Sequence, residues 1–354
     1  MTADRTGNGR PDIRQVAAEA GVSTATVSRV LSGRGPASSK AIRAVRSAAK
    51  RLNYQPSASA SSLRTDRSMI IGVLVPNLAN PVFLPFLRAV EHQAQRFGYA
   101  VMVADTQQST EIEHRQLDRL SAQRIDALIM AGRPRDPERV RRLSDAGLAV
   151  ADPVTFAERA GIPFRSISAG AIEEACRHLA SLGHERLAFL ARGHAEPSTS
   201  ANRWRVIETT CRPLALAPFR VAIKGFEDFP ASGGPTGSRE ELAATLDALM
   251  RSPGRPTVIW SNSHVLAPML LEGMALADIG IPTDCSFVTF GDSSWAAAYR
   301  PSISVITDDL DAAATALTSS VLHQLGVTEA EAPVAVPLAV YLARKSVGPP
   351  PPRT

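Results

Sequence analysis

Cysteine is scarce in this chain and poorly placed for bonding. Cys176, Cys211 and Cys285 are the three among 354 residues. Odd in number and widely spaced, they offer neither a disulfide framework nor a CxxC metal site, and they read as core residues. The seven histidines fall into no HExxH or comparable ligand spacing, and no GxSxG elbow or phosphate-cradling glycine loop is present. No nucleophile, base and orienter can be assembled from motifs, so an enzyme is disfavoured and no metal or cofactor is expected. No apolar run is long enough to span a bilayer. The opening MTADRTGNGRPD lacks the apolar core of a secretion signal. It reads as a disordered lead-in over residues 1–10 of a cytoplasmic protein.

What is present is charge, unevenly distributed. Residues 1–68 hold 12 lysines and arginines against 4 acidic residues, a net +8, while the remaining 27 against 30 leave the rest at −3. Concentrated positive charge on a small unit suits phosphate neutralisation, and an acidic remainder is pushed away from a duplex. A charge run alone is more often a solvated face. The length favours a small head followed by a larger two-lobed body.

The stretch DIRQVAAEAGVSTATVSRVLSG, from Asp12 to Gly33, reads as two short helices joined by a tight turn. Ile13, Val16, Ala17 and Ala20 recur at helical spacing, and Asp12 and Gln15 are spaced as a capping box. Gly21 stops the first helix. Ser23 is placed to cap the second, with Val22 and Val27 as its hydrophobic staple. On that second helix Val27, Val30 and Leu31 share one side, so Thr24, Ala25, Ser28 and Arg29 point the other way. An outward face of one arginine, two hydroxyls and a small apolar residue suits a helix in a DNA major groove, although an ordinary surface helix has the same pattern.

The segment AGVSTATVSRVLSG, Ala20 to Gly33, resembles the DNA-binding head of the lactose-repressor (LacI/GalR-type) family of bacterial transcription regulators almost residue for residue. The resemblance implies that the hydroxyls of Ser23, Thr26 and Ser28 hold phosphates while Thr24, Ala25 and Arg29 read base edges. A third helix, from about Ser39 to Leu52 with Ile42, Val45, Ala49 and Leu52 as its stripe, closes a head spanning residues 11–54.

Next comes NYQPSASASSLRTDRS, where Pro56 breaks the helix and the serine-rich composition reads as a linker. The pattern of Tyr54, Pro56, Ala58, Ala60 and Leu63 also resembles the family's hinge helix, which places a hinge over residues 55–68. By that resemblance Tyr54 and Leu63 join the DNA-binding set, Leu63 as a wedge in the minor groove that bends the duplex.

From Met69 onward strands and helices alternate. Strands are expected at Ile70–Val75, Ala100–Ala104, Ala127–Met130, Leu187–Leu190, Val258–Trp260 and Phe287–Phe290. Helices are expected at Val82–Phe97, Glu111–Ala122, Pro137–Ala146, Ile172–Leu182, Glu240–Met250, Val265–Asp278 and Ala312–Leu325. This grammar predicts doubly wound parallel sheets in two lobes over residues 69–345, with a Gly/Pro-rich surface loop at Phe226–Gly237 and a disordered tail at 346–354. The fold expected overall is an all-α helix-turn-helix head joined by a hinge to a two-lobed α/β body.

The segments IIGVLVPNLANPVF, GYAVMVADT, HLASLGHERLAFL and Pro256 to Pro301 resemble the same family's effector domain, which has the periplasmic-binding-protein fold. Ligands of such folds sit between the lobes at the carboxyl ends of the strands. The resemblance assigns Phe83, Arg203, Asn262, Ser263 and Asp292 to an effector site. Ser263 and Gly291 stand where the family has carboxylates, leaving Asp292 and Asp152 as acceptors, and Arg203, His264 and Arg192 make the cleft neutral or positive. An anionic or largely apolar effector therefore replaces the family's neutral sugar, unless the cleft is degenerate and binds nothing. The reading as a whole is a homodimeric DNA-binding regulator, a repressor, on a near-palindromic operator of double-stranded DNA, with no membrane partner. No leucine heptad follows Leu342, so dimers rather than tetramers are expected. A solute-binding protein feeding a transporter is the reading from another class.

Overall fold

The computed structural model describes residues 11–32, 36–54, 67–78, 80–153, 168–191, 199–223, 238–327 and 338–352. The expected lead-in, Leu63 with most of the hinge, Arg192 and the loop at 226–237 lie outside the described residues. The chain divides into two compact units, residues 1–69 and 70–354.

Among the described residues the first unit has three helices: α1 (Ile13–Ala20), α2 (Thr24–Ser32) and α3 (Ser39–Arg51). Asp12 and Gln15 close a reciprocal capping box, each side chain accepting from the other's backbone N–H at 2.9 and 2.8 Å. Gly21 takes the left-handed conformation (φ 61°) that lets its N–H turn back onto the end of α1. Val16, Val27, Val45 and Ala48 have essentially no exposed surface and form the core, with Val22, Leu31, Ile42 and Leu52 around them. Ala48, outside the stripe expected for the third helix, belongs to this core. So small a core leaves little margin, because a short chain buries a small share of its surface.

The body begins with the first lobe: β1 (Ile70–Val75), α4 (Phe83–Arg96), β2 (Ala100–Asp105), α5 (Thr110–Ala122), β3 (Ala127–Met130), α6 (Pro137–Asp145) and β4 (Ala149–Ala151). Its four parallel strands run in the order β2-β1-β3-β4. The second lobe contains α7 (Ala169–Ser181), β5 (Arg186–Ala191), α8 (Thr199–Cys211), β6 (Ala217–Ala222), α9 (Arg239–Arg251), β7 (Val258–Ser261), α10 (Ala267–Leu276), β8 (Ser286–Phe290), α11 (Ser294–Ala298) and β9 (Ser304–Thr307). A further helix, α12 (Leu310–Gln324), packs back on α4, β3 and β4 of the first lobe, after which β10 (Val340–Leu342) returns to the second. The second sheet has the order β10-β9-β8-β7-β5-β6, parallel except for β10.

The central strands ALIM, VIWS and SFVTF are buried throughout, as helices on both faces require. The α12 helix is buried nearly all round, and its last residue, Gln324, accepts from the Val150 N–H at 3.2 Å and donates to the Val150 carbonyl at 3.0 Å. One side-chain amide thereby satisfies both backbone groups of an edge residue, as a neighbouring strand would.

The tail corrects the expectation of disorder from residue 346. Ser346 has no exposed surface, donates to the Phe287 carbonyl at 2.6 Å and accepts from the Ser304 N–H at 2.8 Å. The Gly348 carbonyl accepts from His184 at 2.9 Å and from Ser286 at 3.1 Å. A proline-rich segment has few donors of its own, but buried donors elsewhere hold its carbonyls in place. The pyramid of contacts joins His184, at the start of β5, to the end of the chain.

Candidate functional site

On α2 the Ser23 hydroxyl accepts the Thr26 N–H at 3.2 Å and lies 2.9 Å from the Thr26 hydroxyl. Thr24, Ala25 and Arg29 are exposed, Thr26 and Ser28 are half-buried, and Val27 and Val30 face the core. One short helix therefore offers base-reading length at Arg29 and hydroxyls beside its N-terminus, where the N–H groups and the helix dipole favour a phosphate. Tyr54, expected among the DNA-binding residues, packs its ring on the core of the head beside Leu52. That placement closes the base of α3.

In the body the carboxyl ends of strands from both lobes lie where ligands of such folds bind. From the first lobe come the loop after β1, carrying Asn80, and the half-buried Phe83 at the start of α4. Asp105, at the end of β2, accepts the Leu78 N–H at 3.2 Å and fixes that loop. From the second lobe come Asn262 to His264 after β7, Gly291 and Asp292 after β8, and Arg203 on α8. Arg203 lies over the Phe290 ring, 3.9 Å from its centroid, and donates through one terminal nitrogen to the Asn262 carbonyl at 2.7 Å. Burial lowers its guanidinium pKa to about 10, partly offset by the Asp308 carboxylate, so it stays cationic at neutral pH. Phe290 in turn packs on Trp260, their ring centroids 5.7 Å apart.

Several polar atoms here are buried without a protein partner: Arg203 Nε, Asn262 Oδ1, Ser200 Oγ and Trp260 Nε1. A desolvated donor or acceptor left unpaired is costly. Arg203 and Asn262, joined to each other, thus keep one hydrogen-bonding atom each for a ligand or for water.

Other expected residues are otherwise engaged. Both carboxylate oxygens of Asp292 are held by Arg344, at 2.8 and 2.6 Å, in a fork that ties β8 to the segment after β10. It therefore leaves the set of free acceptors. The Ser263 hydroxyl accepts the Leu266 N–H at 3.3 Å, capping the turn into α10. Asp152 is buried at the end of β4. Asn80, Ser200 and Phe290 were not among the expected site residues. Asn80 carries no signal beyond its place in a strand-end loop, and Ser200 shows itself only once α8 is recognised as a helix.

Comparison with known proteins agrees with this geometry. A model described as bacterial regulatory proteins of the lacI family matches residues 12–57. Models described as periplasmic binding proteins and the sugar-binding domain of the LacI family, and as a periplasmic binding protein-like domain, match residues 68–217 and 176–347. The chain belongs to the LacI family. The ribose operon repressor of Halalkalibacterium halodurans is 45% identical over 118 residues, which cover 33% of this chain and 36% of that protein. The transcriptional repressor PurR of Haemophilus influenzae is 26% identical over 299 residues, 83% of this chain and 85% of that one. The fold of the lac repressor dimer bound to operator superposes with a TM-score of 0.74 at 21% identity, over 96% of this chain and 99% of that one. The LacI-family protein is thus a DNA-binding transcriptional repressor, and its relatives are repressors rather than enzymes. Among the described residues of this repressor, no helix is long and apolar enough to cross a membrane, and no cluster of three or more His, Cys, Asp or Glu is placed to hold a metal.

Proposed function

We propose that this repressor acts in the cytoplasm as a homodimer on a near-palindromic operator, and that a small anionic or largely apolar effector between the lobes controls it. The observation that carries the effector reading is the group of buried, unpartnered polar atoms around Arg203. A cation stacked on an aromatic ring and short of one acceptor favours a ligand with an anionic or strongly accepting group, since charge-assisted hydrogen bonds are about twice as strong as neutral ones. The half-buried Phe83 supplies apolar surface for the remainder. With Asp292 held by Arg344, one of the expected carboxylates is engaged and not offered to the hydroxyls of a neutral sugar.

Dimerisation is supported by exposed aliphatics on both lobes: Leu78, Leu84 and Val103 on the first, Leu276 on the second. Val103 lies on β2, the outermost strand of its sheet, where no residue is buried. Two-fold pairing there would present two heads to two half-sites. Within the operator complex α2 reads the major groove, Ser23, Thr26 and Ser28 hold phosphates, and Leu63 wedges the minor groove. Effector binding then alters the orientation of the lobes, hence the spacing and order of the hinges. The interior satisfaction of Arg203 by Phe290 and Asn262 favours a second reading, a cleft that answers to no effector.

A thermal-shift panel of neutral sugars, sugar phosphates and organic acids, followed by operator release with each hit, tests the effector. We expect anions or apolar acids to stabilise the protein, with the gain lost in Arg203→Ala. Tight binding of an unmodified monosaccharide that disappears in Arg203→Ala overturns the anionic reading, and a blank panel favours the cleft without an effector.

A further inference from the structure

Among the described residues, a side-chain pair that no sequence motif announced joins the two lobes. Asn80 follows β1 in the first lobe, and His264 precedes α10 in the second. The His264 Nε2 atom lies 2.7 Å from Asn80 Oδ1. Because that oxygen also accepts the Val82 N–H at 3.1 Å, the amide orientation is fixed, and Nε2 must carry the proton that joins the lobes. His264 is only 6% exposed, so water competes little for the bond.

Gly291 makes this arrangement possible. A Cβ built on it would fall 2.6 Å from His264 Nδ1 and 3.1 Å from its Cγ, and its φ of +85° is one that other residues rarely adopt. The imidazole therefore fills the space a side chain at 291 would take. The lack of a side chain at 291 and the placing of the histidine at 264 are thus sterically linked.

We propose that His264 is a positioning residue that latches the lobes through Asn80, with Gly291 as the relief that admits it. Any rearrangement that parts the two strand-end loops breaks this bond, and a ligand between them must either displace the ring or align with it. The latch sets the resting ratio of lobe arrangements on which an effector acts, a consequence that rests on the effector reading above.

The test uses full-length protein spin-labelled at Glu111→Cys and Ala297→Cys, one exposed site on each lobe. The three native cysteines are fully buried and stay unlabelled. Electron-electron distance measurements should give one narrow interlobe distribution for the labelled parent. His264→Phe keeps the ring volume but loses the donor, and should raise the parted population about fivefold, the ratio one net hydrogen bond sets. Gly291→Ala, which crowds the ring, should do the same, while His264→Gln, which keeps an N–H donor, should stay close to the parent. A parent-like distribution in His264→Phe overturns the latch. Operator affinity is measured on the same variants: if the lobes loosen and affinity is unchanged, the latch stands and the coupling of lobes to operator fails.

Discussion

On α2 the residues proposed to read base edges, Thr24, Ala25 and Arg29, are exposed. At the cleft, Arg203 Nε and Asn262 Oδ1 have lost their water without gaining a protein partner. The difference governs how each surface binds. An exposed cationic face trades water and counterions for phosphates, so its affinity is spread over many weak contacts and falls with salt, with a log-log slope of roughly −0.9 per phosphate neutralised. A buried cation has already lost its hydration, so a matching ligand meets less desolvation cost and a mismatched one leaves atoms unpaired. The head gains range from its exposure, and the cleft gains discrimination from its burial.

The sharpest way to separate the two surfaces is to destroy one core and watch the other. Val27 has no exposed surface, and Val27→Asp should destabilise the head by upwards of about 3 kcal/mol through an unpaired buried charge. Calorimetry should show the body transition unmoved while operator binding is lost. A shift of both transitions together would mean that head and body unfold as one.

The converse is Arg344→Met, which strands the half-buried Asp292. Removing one member of such a pair should cost the body about 3 kcal/mol, seen as a lower denaturant midpoint, with the head's intrinsic DNA contacts intact. Smaller again is Arg29→Ala, expected to lose about 1 to 3 kcal/mol of discrimination between operator and scrambled duplex if the guanidinium forks onto a guanine. Its salt slope should change little. An unchanged operator preference would remove α2 from the groove.

The mildest effect is one of pH. Burial is the main cause that holds the His184 imidazole below its ordinary 6.5, with a smaller contribution from His178 and partial opposition from the Gly348 carbonyl. The native ring is therefore neutral where the unfolded chain already binds a proton. Body stability should be complete above 6.5 and decline as pH falls from there through the lowered native value. Melting curves between about pH 7.5 and 5 should show this slope flattened in His184→Asn. An equal slope in both proteins would assign the acid sensitivity to another group, with Asp136 excluded because its lowered carboxyl acts only below 3.8.

The head was legible residue by residue because its signals are local: a cap, a left-handed glycine, a staple and two buried valines lie within sixteen positions. The central strands were legible too, since β1 and β3 are unbroken apolar runs with the bounds that burial on both faces requires. Shorter or edge strands gave less. β4 and β10 have three residues each and β9 four, too few to show a period, and the edge strand β6 has no fully buried position to mark it. The cleft was legible only in part, because its contacts join residues 80 to 264, 203 to 262 and 292 to 344. The substitution at 291 was visible as a missing carboxylate. That a histidine fills the gap depends on how two loops approach, which no spacing along the chain records.

The route of α12 also bears on how the protein is made. The four described strands of the first lobe are in place by residue 151, yet the helix that covers β3 and β4 is not complete until residue 324. A ribosome delivering the chain from its amino end releases a head able to fold at once, but a first lobe whose cover is still some 170 residues away. Until Gln324 emerges to cap Val150, that sheet keeps an apolar face and an open edge available to other chains. Nonsense changes before Leu310 should accordingly yield not a smaller regulator but a sticky one, cleared by proteases or collected by chaperones, while the helical head remains intact on its amino end.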